Sequence, residues 1–147
     1  MSVDRMEDLL YNHSGLKGLS GVSNDMRELL ACDVPDARLA VDYFIDRIGR
    51  ALGELAAVLK GLDALVFTGG IGEHATEVRA RVCRDAAWLG VTLDDEANRR
   101  GGPRISPEGR SPSAWVIPTD EELVIARHTL RLLGGESEPR KKGEQVR

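Results

Sequence analysis

Aromatic residues are scarce in this chain: phenylalanine, tryptophan and tyrosine together make up 4% of its 147 residues. Any core must therefore rest on leucine, valine, isoleucine and alanine. Cysteine is nearly absent too, with only Cys32 and Cys83, far apart and outside any C-x-x-C pair. Neither a zinc site nor a disulfide framework is indicated, and two free thiols in a reducing cytoplasm are expected. Histidine is equally sparse, scattered at His13, His74 and His128. No apolar run approaches the roughly 20 residues that a membrane-crossing helix needs. The first residues, 1–7, are acidic and polar and do not resemble a signal peptide. Positive charge is not in excess either: 24 acids against 20 bases leave a formal net charge of -4. Without a basic stripe, the phosphate attraction that drives nucleic-acid binding is not signalled. A soluble cytoplasmic protein with no nucleic-acid or membrane partner is expected.

What is present is ordinary for a globular domain: 41% hydrophobic and 30% charged residues, over a length that suits one domain with its own core. Residues 3–11 suit a short helix, and 12–23 a Gly- and Ser-rich connector leading to a helical turn at 25–31. The clearest signal lies at 36–60. There Val41, Phe44, Ile45, Ile48, Leu52, Leu55, Ala56 and Leu59 repeat at helical spacing, with Pro35 near the start and Gly61 just past the end. This predicts a core helix.

Residues 64–68 form a compact apolar run that predicts a buried strand, followed by a Gly-rich turn and a helix over 75–88. Helix, strand, Gly-rich turn and helix together predict an α/β layer. A short helix at 94–100, an edge strand at 104–106 and a strand at 114–117 are also expected. The last helix, 121–133, would bury Leu123, Val124, Leu130 and Leu133. Residues 134–147 are almost wholly polar and read as a disordered tail.

Three segments could carry chemistry. Thr68-Gly69-Gly70-Ile71-Gly72-Glu73-His74 joins the strand to the next helix, where glycines permit a sharp turn and helix N–H groups favour a phosphate. The spacing is neither G-x-G-x-x-G nor a Walker A loop, so a structural turn and a nucleotide site stay equally open. In Pro118-Thr119-Asp120-Glu121-Glu122, Thr119 and Glu122 fit a capping box, which leaves Glu121 without a structural task. Spacing alone favours Glu121 as a partner of the helix dipole over a Mg²⁺ ligand. In Ser23-Asn24-Asp25-Met26-Arg27, Asp25 suits a ribose hydroxyl and Arg27 a base or phosphate, but a surface ion pair at a helix start suits the pattern as well.

Taken together these segments resemble the acetate kinases. Residues 14–21 with 23–27 are similar to the family's Ser-Gly-Leu-x-Gly-x-Ser-Gly…Asp-x-Arg stretch. Residues 67–73 are similar to its Phe-Thr-Gly-Gly-Ile-Gly-Glu loop, and 117–123 to its Ile-Pro-Thr-Asn-Glu-Glu-Leu segment. Order and spacing match from about residue 3 to 133. The resemblance implies the acetate and sugar kinase, Hsp70 and actin fold, of which residues 1–133 would form an incomplete C-terminal ribonuclease-H-like lobe.

Such enzymes use ATP and Mg²⁺ to phosphorylate acetate, giving acetyl phosphate and ADP. Carried over, Asp25, Met26, Arg27, Gly70, Ile71, Gly72, Glu73 and His74 would bind the adenosine nucleotide, and Glu121 would help hold Mg²⁺. The resemblance further implies a homodimer formed through C-terminal lobes. His74 and Asp120 stand where Asn is frequent. Not found here are the family's N-terminal Asn, acetate pocket, catalytic Asp, transition-state arginines and His-Leu-Gly-Asn-Gly phosphate loop. No catalytic residue is therefore assigned, and the chain alone is expected to be inactive, with acetate a partner only if the N-terminal part is supplied. The alternatives are a propionate or butyrate kinase fragment and a non-catalytic nucleotide-binding or interaction module.

Overall fold

In the computed structural model the described residues are 1–134, with the backbone alone for Glu121 and Gly134. The elements run α1 (Val3–Asn12), α2 (Gly15–Ser20), α3 (Met26–Ala31), α4 (Pro35–Leu59), β1 (Ala64–Phe67), α5 (Gly69–His74) and α6 (Thr76–Asp85). A 3-10 turn at Ala87–Leu89 precedes α7 (Asp95–Arg100), β2 (Ser113–Val116) and α8 (Glu121–Gly134). The polar tail expected over 134–147 lies, beyond Gly134, outside the described residues. Among those described, no helix is long and apolar enough to cross a membrane.

β1 and β2 pair in parallel, from Ala64 opposite Ser113 to Phe67 opposite Val116. The expected edge strand at 104–106 shrinks to one antiparallel bridge between Arg104 and Trp115. Pro103 and Pro107 on either side have no N–H to extend a ladder. Ser106 instead accepts a bond from the Ala114 N–H through its side chain, at 3.0 Å.

The core gathers where α3, α4 and α6 meet the two strands. Met26, Leu29, Ala37, Ala40, Val41, Ile45, Phe67, Val78, Val82, Ile105, Ala114 and Val116 all belong to one buried cluster. Pro35 at the first turn of α4 and a left-handed Lys60 at its end set the helix limits that the sequence suggested.

Several expectations need correction. The connector at 12–23 contains a helix, α2, and the Gly-rich turn is itself helical, as α5. Only Phe67 of β1 is buried, so this is not a buried strand along its length. Leu55 and Leu59 of α4 are exposed, as are Leu123, Val124, Leu130 and Leu133 of α8. Helical spacing predicts which residues share a face; it does not say what that face meets.

Candidate functional site

Two segments far apart in the chain line one cleft of about 370 Å³: Asn24, Asp25, Met26 and Arg27 on one side, Gly70, Ile71, His74 and Ala75 on the other. That size falls within the range of small-molecule sites.

The first wall is built by serines and a cap. Ser20 Oγ accepts from the N–H groups of Val22 and Ser23, at 3.1 and 3.3 Å, and Ser23 Oγ accepts from Asp25 N–H at 3.0 Å. Such side-chain-to-backbone bonds fix a bend without secondary structure. Met26 is buried and anchors α3 to the core.

Asp25 is the N-cap, accepting from Arg27 N–H at 2.8 Å, while the Arg27 guanidinium returns to both carboxylate oxygens, with Nη2 to Oδ2 at 2.5 Å. The Arg27 side-chain bonds, then its backbone N–H, hold the Asp25 carboxyl down to about 2 from its usual 3.8. Surface ion pair and helix start are thus both real here. They also hold the guanidinium at the cleft with its face open, since the Arg27 side chain is largely exposed.

The second wall is α5. It leaves β1 through Gly69, whose φ of +70 is left-handed backbone that other side chains rarely adopt. At 3.6 residues per turn, Gly70, Ile71 and His74 share a side, and it is these that line the cleft.

Gly72 and Glu73, which the resemblance implied as ligand contacts, are not among the residues that line this cleft. A Cβ on Gly72 would meet the Phe67 carbonyl carbon at 3.2 Å, so this glycine lets α5 pack on the end of β1. Its φ is not among the positive ones, so close approach rather than a left-handed conformation demands the glycine.

Glu73 Oε1 accepts from Gly69 N–H at 3.0 Å and from both the N–H and the hydroxyl of Thr119 at 2.9 Å. These bonds, the Thr119 N–H foremost, hold the Glu73 carboxyl below its ordinary value. One N–H at the start of α5, that of Gly69, is thus engaged by this carboxylate.

The capping box at α8 is likewise corrected. Thr119 is committed to Glu73, and Asp120 is the cap, its Oδ1 accepting from Leu123 N–H at 2.9 Å. Glu122 therefore has no reciprocal role, and the elimination that set Glu121 apart loses its basis. The side chain of Glu121, assigned by resemblance to Mg²⁺, lies outside the described residues. Among those described, no three His, Cys, Asp or Glu side chains gather as a metal cage.

Three residues that the sequence reading did not name as contacts matter to the site. Asn24, inside the segment at 23–27, and Ala75, just after the one at 68–74, complete the lining. Beneath α5, Arg79 is 1% exposed and its guanidinium bonds the carbonyls of Gly72 and Glu73, at 3.0 and 2.7 Å. A signal existed: Arg79 sits among Val78, Ala80, Val82 and Cys83, where a charge has no place unless it is bonded.

A mixed α/β lobe, mostly helical, with a cleft between a capped helix start and a strand-to-helix segment is what the fold presents. The same architecture occurs in solved acyl-acid kinases. It matches the acetate kinase of Porphyromonas gingivalis with a TM-score of 0.77 and 36% identity, over 90% of this chain and 35% of that one. It matches a propionate kinase from Francisella tularensis with a TM-score of 0.76 and 37% identity, over 86% of this chain and 33% of that one. The acetokinase family model matches residues 1–127, and the chain belongs to that family. The acetate kinase of Rhodopseudomonas palustris strain TIE-1 is 62% identical over 137 residues, which is 92% of this chain. The chain spans about a third of the length of the curated relatives it matches.

Proposed function

We propose that residues 1–133 contribute the adenosine-binding wall of an ATP-dependent acetate kinase, a cytoplasmic enzyme that makes acetyl phosphate. The observation that carries this is the cleft, in which Asn24–Arg27 meet Gly70, Ile71, His74 and Ala75 although the two segments are far apart in the chain. Both belong to the segments that resemble the family. The open face of Arg27 suits a base stacked on a guanidinium plane, while Gly70 leaves room for close approach.

Mg²⁺, which the family implies, supplies charge neutralisation between phosphates. Mg²⁺ keeps several waters and takes one or two carboxylates plus the nucleotide's own phosphates. A dedicated protein cage is not required, and Glu121 is proposed as the carboxylate. Phosphoryl transfer depends on donors placed around the transferred group, and none is assigned within this chain. The chain alone is therefore proposed to bind nucleotide without turning it over, unless the remainder of the enzyme is supplied.

The likeness to a propionate kinase keeps a longer-chain carboxylate open as the acceptor. A homodimer is proposed as well, supported by exposed Leu55, Val58 and Leu59 at the end of α4.

Calorimetric titration with ADP tests the site. Wild-type chain should bind, and Gly70→Val should not. A Cβ at Gly70 meets nothing within 4 Å, so the fold tolerates it while the cleft is filled. Normal ADP binding by Gly70→Val would remove the assignment. A hydroxamate assay of the chain with ATP and acetate should give background only.

A further inference from the structure

α5 has six residues, too few to hold a helix by its own hydrogen bonds. Its N-terminal end is tied by Glu73 to Gly69, and its side rests on Phe67 through Gly72. Its C-terminal end leaves carbonyls without intrahelical partners. Two of these, Gly72 O and Glu73 O, are taken by Nη1 of Arg79. The other donors are also used: Nε goes to Asn98 Oδ1 at 2.7 Å, and Nη2 goes to Thr76 Oγ1 at 3.2 Å and Asn98 O at 2.9 Å. Five N–H groups meet five acceptors, every one of them neutral. Asn98 is itself buried and returns its amide to the Thr76 carbonyl at 3.0 Å.

A buried cation without a carboxylate is a costly arrangement to retain, tolerable because each donor is bonded and the carbonyl end of a helix carries partial negative charge. Burial lowers the pKa of Arg79 from its ordinary value, but an arginine so bonded stays charged. Leucine or methionine would fill the same space in the core without desolvating a charge. What they would not do is hold two carbonyls of α5 in a fixed plane.

We infer that Arg79 is the positioning residue of the cleft: its guanidinium clamps the end of α5 to α7 and so sets where Gly70, Ile71 and His74 stand against Arg27. The inference rests on the nucleotide reading of that cleft and adds to it a residue that touches no ligand. A lysine keeps the charge but offers three donors from a single point, which cannot serve five acceptors held in a fork.

The test is Arg79→Lys in the full chain, read by ADP titration and by amide hydrogen exchange of α5 relative to α4. A displaced wall weakens its contacts with the ligand, and a loss of about tenfold in ADP affinity, equivalent to about 1.4 kcal/mol, is expected. Protection of residues 70–74 should fall by a similar factor while α4 keeps its own. If Arg79→Lys does not fold, Thr76→Val, which removes one acceptor, decides by the same two readouts with a smaller effect. Unchanged affinity and α5 protection would overturn the inference. Uniform loss of protection across α4 and α5 would overturn it too, leaving Arg79 a general structural residue. If the wild type itself fails to bind ADP, the nucleotide reading falls; selective loosening of α5 would still establish the clamp, and its absence would sink both.

Discussion

α3, the first half of α4, α6 and the two strands close over one another, whereas α1, the end of α4 and α8 turn apolar residues outward. Both regions have leucines and valines at helical spacing. In the first, Leu29 is 1% exposed; in the second, Leu59 is 69% exposed. The difference lies in what holds neighbours together. The inner region is cross-linked by polar groups from distant segments: Glu73 reaches Thr119, Arg79 reaches Asn98, and the Ser113 N–H reaches Asp63 O. The outer helices carry mainly local bonds, such as Asn12 to Asp8 and Thr129 to Ile125. An amphipathic pattern makes a helix, but long-range polar contacts and interlocking volume decide whether its face is closed.

The largest expected effect sets the two regions directly against each other. Leu29→Ala removes a fully enclosed side chain and should destabilise by about 2–5 kcal/mol. Leu59→Ala removes an exposed one and should stay within about 0.5 kcal/mol. Chemical denaturation of both variants at several protein concentrations checks this. A large, concentration-dependent cost for Leu59→Ala would break the comparison, because the end of α4 would then be buried by a second copy.

A neighbouring pair separates packing from binding inside the inner region. Gly72→Val forces a side chain against the Phe67 backbone and should cost about 1–3 kcal/mol, whether or not nucleotide is present. Gly70→Val should leave the melting transition in place and abolish ADP binding. Thermal melts with and without ADP distinguish the two. Equal destabilisation would mean that both glycines serve packing, and the cleft would lose its best probe.

Much of the inner region was legible in the residues. The limits of α4, the strand at 64–67 and the Asp94 start of α7 follow from periodicity, punctuation and a capping side chain. The segments at 23–27 and 68–74 were singled out by composition and resemblance, and residues of both line the cleft.

Which of their residues line the cleft was not legible. A loop would offer every residue to a ligand, whereas a helix turns about 100° per residue and offers one side. The resemblance carried over Gly72 and Glu73 together with Gly70 and His74, whereas on the helix a Cβ at Gly72 meets Phe67 and the Glu73 carboxylate bonds Thr119. The capping box failed for a related reason. Thr119 fits an N-cap locally, but its competing partner, Glu73, comes from a distant part of the chain. The apolar neighbours of Arg79 signalled its burial, but its partners were hidden in the same way: most of its acceptors are backbone carbonyls and a threonine hydroxyl, which no spacing rule marks.

A smaller effect tests the corrected start of α8. Asp120→Ala should cost about 1 kcal/mol through loss of the bond to Leu123 N–H, and Glu122→Ala should cost little. Local hydrogen exchange over 121–125 reads both. If Glu122→Ala were the costlier change, the Thr119–Glu122 box would hold in solution in place of the Asp120 cap.

The smallest effect expected is a response to acid at the two walls of the cleft. The Asp25 carboxyl is held at about 2 against 3.8 by the Arg27 guanidinium and N–H, and the Glu73 carboxyl is held below its ordinary value by Thr119 and Gly69. A depressed carboxyl binds fewer protons folded than unfolded. Its stabilisation is therefore fully present above the unfolded value and fades as pH falls from about 3.8 toward 2 for Asp25. Both carboxylates lie near solvent, so the contribution is modest and shrinks further with salt. Protonating Asp25 weakens the α3 cap and frees Arg27; protonating Glu73 loosens Thr119 from α5. Both walls of the cleft should thus relax in acid while the α4 core persists. Carbon-13 NMR titration of the two carboxyls, followed with amide exchange of residues 25–27 and 70–74, reads the process directly. Asp25→Asn should remove the low-pH step at α3 and leave the one at α5. An Asp25 carboxyl titrating at its ordinary value would show that the Arg27 pair does not persist in solution, and the open guanidinium face at the cleft would lose its support.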